Sequence, residues 1–174
     1  RRTREAGLST PAMNAPIPLA ELTAGQLNWE RGTSRIPFAA YNDPALHKRE
    51  LQRFFYEKHW CYVGLIAEIP KPGDFKRTNI GERSVLLVRA MDGTIHVVEN
   101  ACAHRGVAFC RERFGNRDAF VCPYHQWNYA LDGRLRGVPM RHGVKRDGVV
   151  QGGMPADFNL ADHGLTRLKV AVRG

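Results

Sequence analysis

Two short stretches hold residues able to do chemistry together: Cys102 with His104 in "CAHRG", and Cys122 with His125 in "CPYHQW". Each offers one thiolate and one imidazole, and seventeen residues lie between His104 and Cys122. Three chemistries use such donors. Structural zinc of the Cys2His2 type pairs cysteine with cysteine and histidine with histidine. Here each pair is mixed, and a Cys-x-His step is tight for two ligands of one tetrahedral ion. A cysteine nucleophile needs one thiol and one histidine, which leaves the duplication unexplained. An iron–sulfur centre in which one iron takes two thiolates and the other two imidazoles uses all four residues.

Charge counting shows what the mixed ligation would do. Two ferric ions, two sulfides and two thiolates sum to zero, whereas four thiolates would leave the core doubly negative before any electron arrives. An electron enters the neutral core more easily, which lifts the potential to roughly −150 to +300 mV.

"CAHRG" followed by "CPYHQW" resembles the Rieske signature Cys-x-His … Cys-x-x-His. The resemblance implies a [2Fe-2S] cluster with Cys102 and Cys122 on the inner iron and His104 and His125 on the outer, surface-near one. Rieske proteins of respiratory bc-type complexes add a cysteine to each loop and a serine that donates to a bridging sulfide. Val107, Tyr124 and Trp127 stand at those places here, with Tyr129 kept two residues later. The lost donor implies a potential toward the low end of the range.

The helix-like "DPALHKRELQRFFYEKHWCYVG", the following "IPKPGDFKRTNIGERSVLLVRAMDG" and the run "HRGVAFCRERFGN…FVCPYHQWNYALDGRLRGVP" are similar to large (α) subunits of Rieske non-haem iron aromatic-ring-hydroxylating oxygenases. Over residues 35 to 174 the similarity points to the salicylate 5-hydroxylase type, with Gln126 standing where the family more often has glycine. In that family an NADH-dependent reductase, often with a ferredoxin, delivers electrons singly to the cluster. They pass to a mononuclear Fe(II), usually across a subunit boundary in an α trimer, sometimes with a small β subunit present. That iron, held by two histidines and a carboxylate, activates O2 to hydroxylate an aromatic ring, here a salicylate-like one. After the second pair only His142 and His163 remain, without the Asn/Asp-x-x-His spacing of that triad. No catalytic residue is therefore expected in this chain, only electron transfer. The alternative is a stand-alone Rieske ferredoxin.

Rigid elements must hold the two pairs. The apolar and β-branched runs "CYVGLIAEI", "SVLLVRA", "TIHVVEN", "AFVCPY", "WNYAL", "RLRGV" and "LTRLKVAV" read as short strands, and "PKPGD", "MDGT" and "LDGR" as the turns between several of them. They predict a mainly β, antiparallel sandwich or barrel, with each Cys–His pair at a β-loop tip. Residues 37–60 are expected as a helical lead-in, with one helix in "YNDPALHKRELQRFFYEKHW" capped by Asn42 or Asp43, Pro44 at its first position and Leu51, Phe54, Phe55 and Leu46 or His47 as its apolar stripe. Residues 1–36 read as an irregular arm and residues 61–174 as the Rieske domain. Met13 offers a natural start, so residues 1–12 are expected to be non-native. "LTRLKVAVRG" stops without a following turn, so a truncated carboxyl end is expected.

Four cysteines do not make a disulfide framework in a chain of this kind, and no apolar run reaches membrane-spanning length, so a cytoplasmic protein is expected. Lys and Arg outnumber Asp and Glu by 26 to 17, a net charge of +9, without an arginine-rich block or stacking aromatics between the charges. Nucleic acid is excluded on that ground, which leaves two readings: a basic rim steering an acidic protein partner, or a fragment whose missing part carries the balancing acid. Cys110 and Cys61 read as packing thiols, and His47, His59 and His96 as structural histidines. Gly106 is expected to turn its loop tightly and aim N–H groups at sulfides, with Arg105 screening charge or anchoring a neighbour.

Overall fold

The computed structural model describes residues 32–173. Residues 1–31 of the expected arm, including its proposed non-native start, lie outside the described residues. The chain divides into two compact units, one running to His59 and one from Trp60.

In the first unit, helix α1 (Ala39–Asn42) is followed directly by α2 (Pro44–Glu50). Asp43 is the cap: its Oδ1 accepts from the N–H groups of Ala45 and Leu46 at 2.8 and 3.0 Å, and Pro44, which has no N–H to satisfy, opens the helix. The expected stripe fails beyond Leu51. Residues Leu51–Phe55 widen into a π-helical turn closed by Tyr56 N–H on Leu51 O, which breaks the 3.6-residue phase. Phe54 and Phe55 are accordingly exposed, while Ala45 and Leu51 are buried. The helix ends before His59, which lies in irregular chain.

The second unit is the antiparallel β domain that the sequence predicts. Its strands are β1 (Asp74–Ile80), β2 (Arg83–Arg89), β3 (Ile95–Glu99), β4 (Phe114–Asn116), β5 (Ala119–Val121), β6 (Asn128–Ala130), β7 (Leu135–Gly137), β8 (Val144–Arg146), β9 (Val149–Gln151) and β10 (Arg167–Leu168). One sheet has the order β10-β3-β2-β1-β4, a second β5-β6-β7, and β8 and β9 form a separate ribbon. Among the described residues no helix is long and apolar enough to cross a membrane.

Central strand β2 reads as a continuous apolar run because both its faces are covered. Val85 and Leu87 pack with Ile69 and Val97, and Leu86 and Val88 with Val98, Phe75 and Phe120. Each such side chain contributes about 1.5–3 kcal/mol by leaving water. The second cluster also takes in Cys102, Cys122, Trp127 and Tyr129, so the core that joins the two sheets ends at the candidate ligands.

Two of the expected turns share one frame. In residues 90–94 Ala90 N–H donates to Thr94 O and Gly93 N–H to Ala90 O, and Asp92 Oδ1 accepts from Thr94 N–H. Residues 130–134 repeat it with Ala130, Gly133, Asp132 and Arg134, and both glycines have φ near +87° (86° and 87°).

Some expected strands are absent and unexpected ones appear. "CYVGLIAEI" forms no strand: Glu68 Oε2 accepts from Leu65 N–H at 2.8 Å and closes a 3-10 turn over Ile66–Glu68, while the same carboxylate holds Lys76 Nζ at 2.8 Å. A local side-chain bond thus takes the backbone group a ladder would need. Of "LTRLKVAV" only Arg167 and Leu168 pair, with Val98 and Val97. Strand β1, "DFKRTNI", is polar apart from Phe75 and Ile80 and hides from an apolar-run criterion. Strands β8 and β9 flank Asp147 and Gly148 (φ 48° and 83°), a two-residue turn with both central residues left-handed, so their Asp-Gly signal was present in the sequence.

Candidate metal centre

Strand β3 ends at Glu99 and leads into the first loop; β5 ends at Val121 and leads into the second, which returns into β6. The two loops fold on one hydrogen-bond frame. In the first, Cys102 N–H donates to Val107 O (2.9 Å) and Gly106 N–H to Cys102 O (2.7 Å). In the second, Cys122 N–H donates to Trp127 O (2.9 Å) and Gln126 N–H to Cys122 O (2.8 Å). The fifth residue of each frame is left-handed: Gly106 at φ 69° and Gln126 at φ 56°. Gly106 therefore makes the tight turn as expected. Its own N–H closes that turn on Cys102 O.

The frames carry their histidines at different places, two residues after Cys102 and three after Cys122. The imidazoles nevertheless meet: His104 Nδ1 lies 3.1 Å from His125 Nδ1, with the ring planes inclined at 72°. For metal–imidazole bonds of about 2.1 Å, two ligands at tetrahedral corners would lie about 3.4 Å apart, so the spacing suits two nitrogens sharing one ion. Partial loss of water around its ring, then the positive charges of His125 and Arg105, hold His104 below the ordinary histidine pKa. The neutral imidazole, the form that binds metal, is thereby favoured.

Beneath the imidazoles, Cys102 and Cys122 are buried at 3% and 1% exposure, both in the core cluster. Tyr129, fully buried on β6, reaches the first loop: its Oη accepts from Ala103 N–H at 3.1 Å and lies 3.1 Å from Cys102 Sγ. With Ala103 donating to the oxygen, the phenolic hydrogen is free to point at the sulfur. Burial and then the Cys102 contact push the Tyr129 pKa well above its usual value, so the group remains a donor. Two cysteine sulfurs below, two imidazoles above and a hydroxyl within hydrogen-bond reach of one sulfur form a donor set that fits a two-iron, two-sulfide cluster. Among the described residues no three His, Cys, Asp or Glu side chains group to hold a single ion.

Other singled-out residues stand aside. Cys110 is buried with its thiol turned to Glu112, and burial pushes its pKa up to about 11, which keeps it a thiol. Arg105 is exposed at the loop tip. His163 ends a 3-10 turn (Leu160–His163) capped by Asn159.

Sequence reasoning missed Asn100, the buried polar residue of the core. Its Oδ1 accepts from Cys110 N–H (2.9 Å) and its Nδ2 donates to Cys110 O (2.8 Å), so one amide imitates a strand neighbour and pins the inter-ligand segment two residues before Cys102. Only a polar residue closing an apolar run, "TIHVVEN", could have signalled it. The packing of residues 158–163 against Trp127 had no signal in the sequence.

The Rieske [2Fe-2S] domain family matches residues 59–147. The large oxygenase component of salicylate 5-hydroxylase from Ralstonia sp. is 69% identical over 163 residues, covering 93% of this chain and 38% of that protein. The anthranilate 1,2-dioxygenase large subunit from Burkholderia cepacia is 44% identical over 79% of this chain and 31% of its own length. The crystal structure of naphthalene 1,2-dioxygenase from Rhodococcus sp. bound to indole superposes with a TM-score of 0.64 at 34% identity, over 76% of this chain and 28% of that one. The chain thus spans about a third of the length of each of these relatives.

Proposed function

The chain belongs to the Rieske [2Fe-2S] domain family, and from that premise we propose that Cys102 and Cys122 hold one iron of the cluster and His104 and His125 the other. The observation that carries the assignment is the 3.1 Å approach of the two Nδ1 atoms from loops of the same backbone form. When bound, the cluster supplies storage for one electron at a time. This chain's residues set the conditions. The buried cysteines keep water from the sulfur side, Tyr129 offers a hydrogen bond to Cys102, and the two imidazoles occupy the tip of the domain, where a redox partner can approach.

We further infer that the domain serves an aromatic-ring-hydroxylating oxygenase, as the 69% identity to a salicylate 5-hydroxylase component supports. In that reading an NADH-dependent reductase, with or without a ferredoxin, feeds the cluster. A mononuclear Fe(II) held by residues outside this chain would supply the O2 chemistry, with a salicylate-like aromatic acid as the substrate class. The holoenzyme is then a cytoplasmic α trimer, with or without β subunits. The basic surface, net charge +9, suits an acidic electron donor.

Iron analysis and low-temperature paramagnetic resonance test the assignment. Two irons per chain and a Rieske-type signal on reduction are expected, and replacing His104 or His125 by Cys should lower the potential of any cluster that forms. Colourless protein holding one zinc would refute the assignment. The open reading frame beyond Gly174 separates oxygenase from ferredoxin: a downstream two-histidine, one-carboxylate motif supports the first.

A further inference from the structure

The two imidazoles are backed very differently. The His104 ring lies parallel to the Trp127 indole, at 10° and 4.9 Å between centroids. Trp127 is itself buried, and two further rings stand nearly perpendicular to it: Phe158 at 5.9 Å and 78°, and His163 at 5.9 Å and 79°. Those two stack on each other at 4.4 Å and 7°. Arg141 ties the group down, donating from Nη2 to Phe158 O at 3.1 Å with its guanidinium over the Phe158 ring. His125, by contrast, meets Tyr124, which is 56% exposed.

An imidazole on a loop tip turns about its side-chain torsions unless something flat and fixed lies against it. Parallel and edge-to-face aromatic contacts contribute about 0.5–1.5 kcal/mol each beyond their buried area, enough to bias one ring orientation over another. The Trp127 ring cannot slide away, because Phe158 and His163 stand perpendicular against it and its own carbonyl is held by Cys122 N–H. We propose that Trp127, wedged by Phe158 and His163, is a positioning residue that fixes the plane of the His104 imidazole. Residues 158–163, some thirty positions beyond the second loop, thereby become part of the metal centre without supplying a ligand. The proposal rests on the ligand assignment above for its effect on a cluster, whereas the stack itself involves only this chain's own rings.

The test uses Trp127→Leu, Trp127→Phe and Phe158→Leu, with two independent readouts. In iron-free protein, nuclear magnetic resonance should show the His104 ring protons shifted upfield by the indole face. That shift should be lost in Trp127→Leu, reduced in Phe158→Leu and partly kept in Trp127→Phe. In iron-loaded protein, the two leucine variants should broaden and displace the resonance signal of the reduced state and raise the midpoint potential, since water reaching the ring favours the more negative reduced form. Trp127→Phe should return both toward the parent. Leucine variants with parental His104 shifts, or with a parental signal and potential at full iron content, would overturn the proposal. Should Trp127→Leu fail to fold, Phe158→Leu decides the matter by the same criteria. A parent protein lacking the two-iron signal would instead overturn the ligand assignment, and the iron-free measurement would still judge the stack.

Discussion

Replacing Tyr129 by Phe isolates one hydroxyl in a site where nothing else should move. The side chain is fully buried, and Phe keeps the ring and its packing against Phe109. Two contacts are lost, Cys102 Sγ and Ala103 N–H, each at 3.1 Å. The sulfur contact should act on the potential. Reduction adds negative charge to the sulfur, and a hydrogen bond to a charged partner is worth about 1.5–3 kcal/mol against 0.5–1.5 for a neutral one. The difference, about 1–1.5 kcal/mol in favour of the reduced state, corresponds to about 40–65 mV at roughly 59 mV per tenfold change for one electron. The variant should therefore have a midpoint about 40–65 mV below the parent. The Ala103 contact should act on stability, with about 1 kcal/mol lost in both redox states. Potentiometric titration with optical detection measures the first and urea unfolding the second. A midpoint unchanged or raised at full iron content would refute the reasoning, since it would mean that the hydroxyl does not point at Cys102.

Four further substitutions test the loops around the site and the fold that carries them. Gly106 and Gln126 occupy the same left-handed position in the two loops, and no atom lies within 4 Å of a Cβ built on Gly106. Gly106→Ala should therefore cost about 1 kcal/mol from backbone strain alone, and Gln126→Gly should gain about 0.5–1 kcal/mol, both read by chemical unfolding. Asn100→Ala removes both bonds to the Cys110 backbone and leaves its N–H and C=O buried without partners, so about 2–4 kcal/mol should be lost. Glu68 is held below the usual glutamate pKa by Lys76 and then by Leu65 N–H. A lowered folded-state pKa gives stability that is present above the unfolded value near 4.5 and is lost as pH falls through the folded value. Glu68→Gln should therefore flatten the acid side of the stability profile, and an unchanged acid slope would count against the Lys76 pairing.

The candidate Cys–His pairs and the antiparallel class were legible because each leaves a local mark: Cys–His spacing for the first, Asp-Gly turns between β-branched runs for the second. The lost strand at residues 61–69 shows where local marks mislead. Its apolar residues suit a strand, but Glu68 bonds back to Leu65 and the segment becomes a turn. Strand β1 shows the converse, a polar stretch made central by its neighbours β2 and β4. Gly115 opposite Phe75 explains why that pairing is close. A Cβ there would stand 2.7 Å from the Phe75 ring, a constraint between strands that no single stretch of sequence reveals. Asn100 and Phe158 belong to the same class, since their partners lie 10 and 31 residues away.

The difference between Cys-x-His and Cys-x-x-His reads in sequence as two different loops, and the structure shows one loop form used twice. The frames match bond for bond from cysteine to the sixth residue, so the unequal histidine positions need an unequal surrounding. Strand β6 and the residue before it provide that. Trp127 closes the second frame with its carbonyl while its ring lies on His104 of the first. Two residues later Tyr129 crosses to Cys102 and Ala103 of the first loop. Both side chains thus serve the loop to which they do not belong, and one strand start sets the register of both. A slip of one residue there would withdraw the indole and the hydroxyl together, because alternate side chains of an extended chain share a face. The irregular register there falls on the neighbouring strand, where Arg136 of β7 is the extra residue between Leu135 and Gly137, so the alternation along β6 is not interrupted. The spacing Trp127-x-Tyr129 matters to the first loop as much as Cys102-x-His104 does.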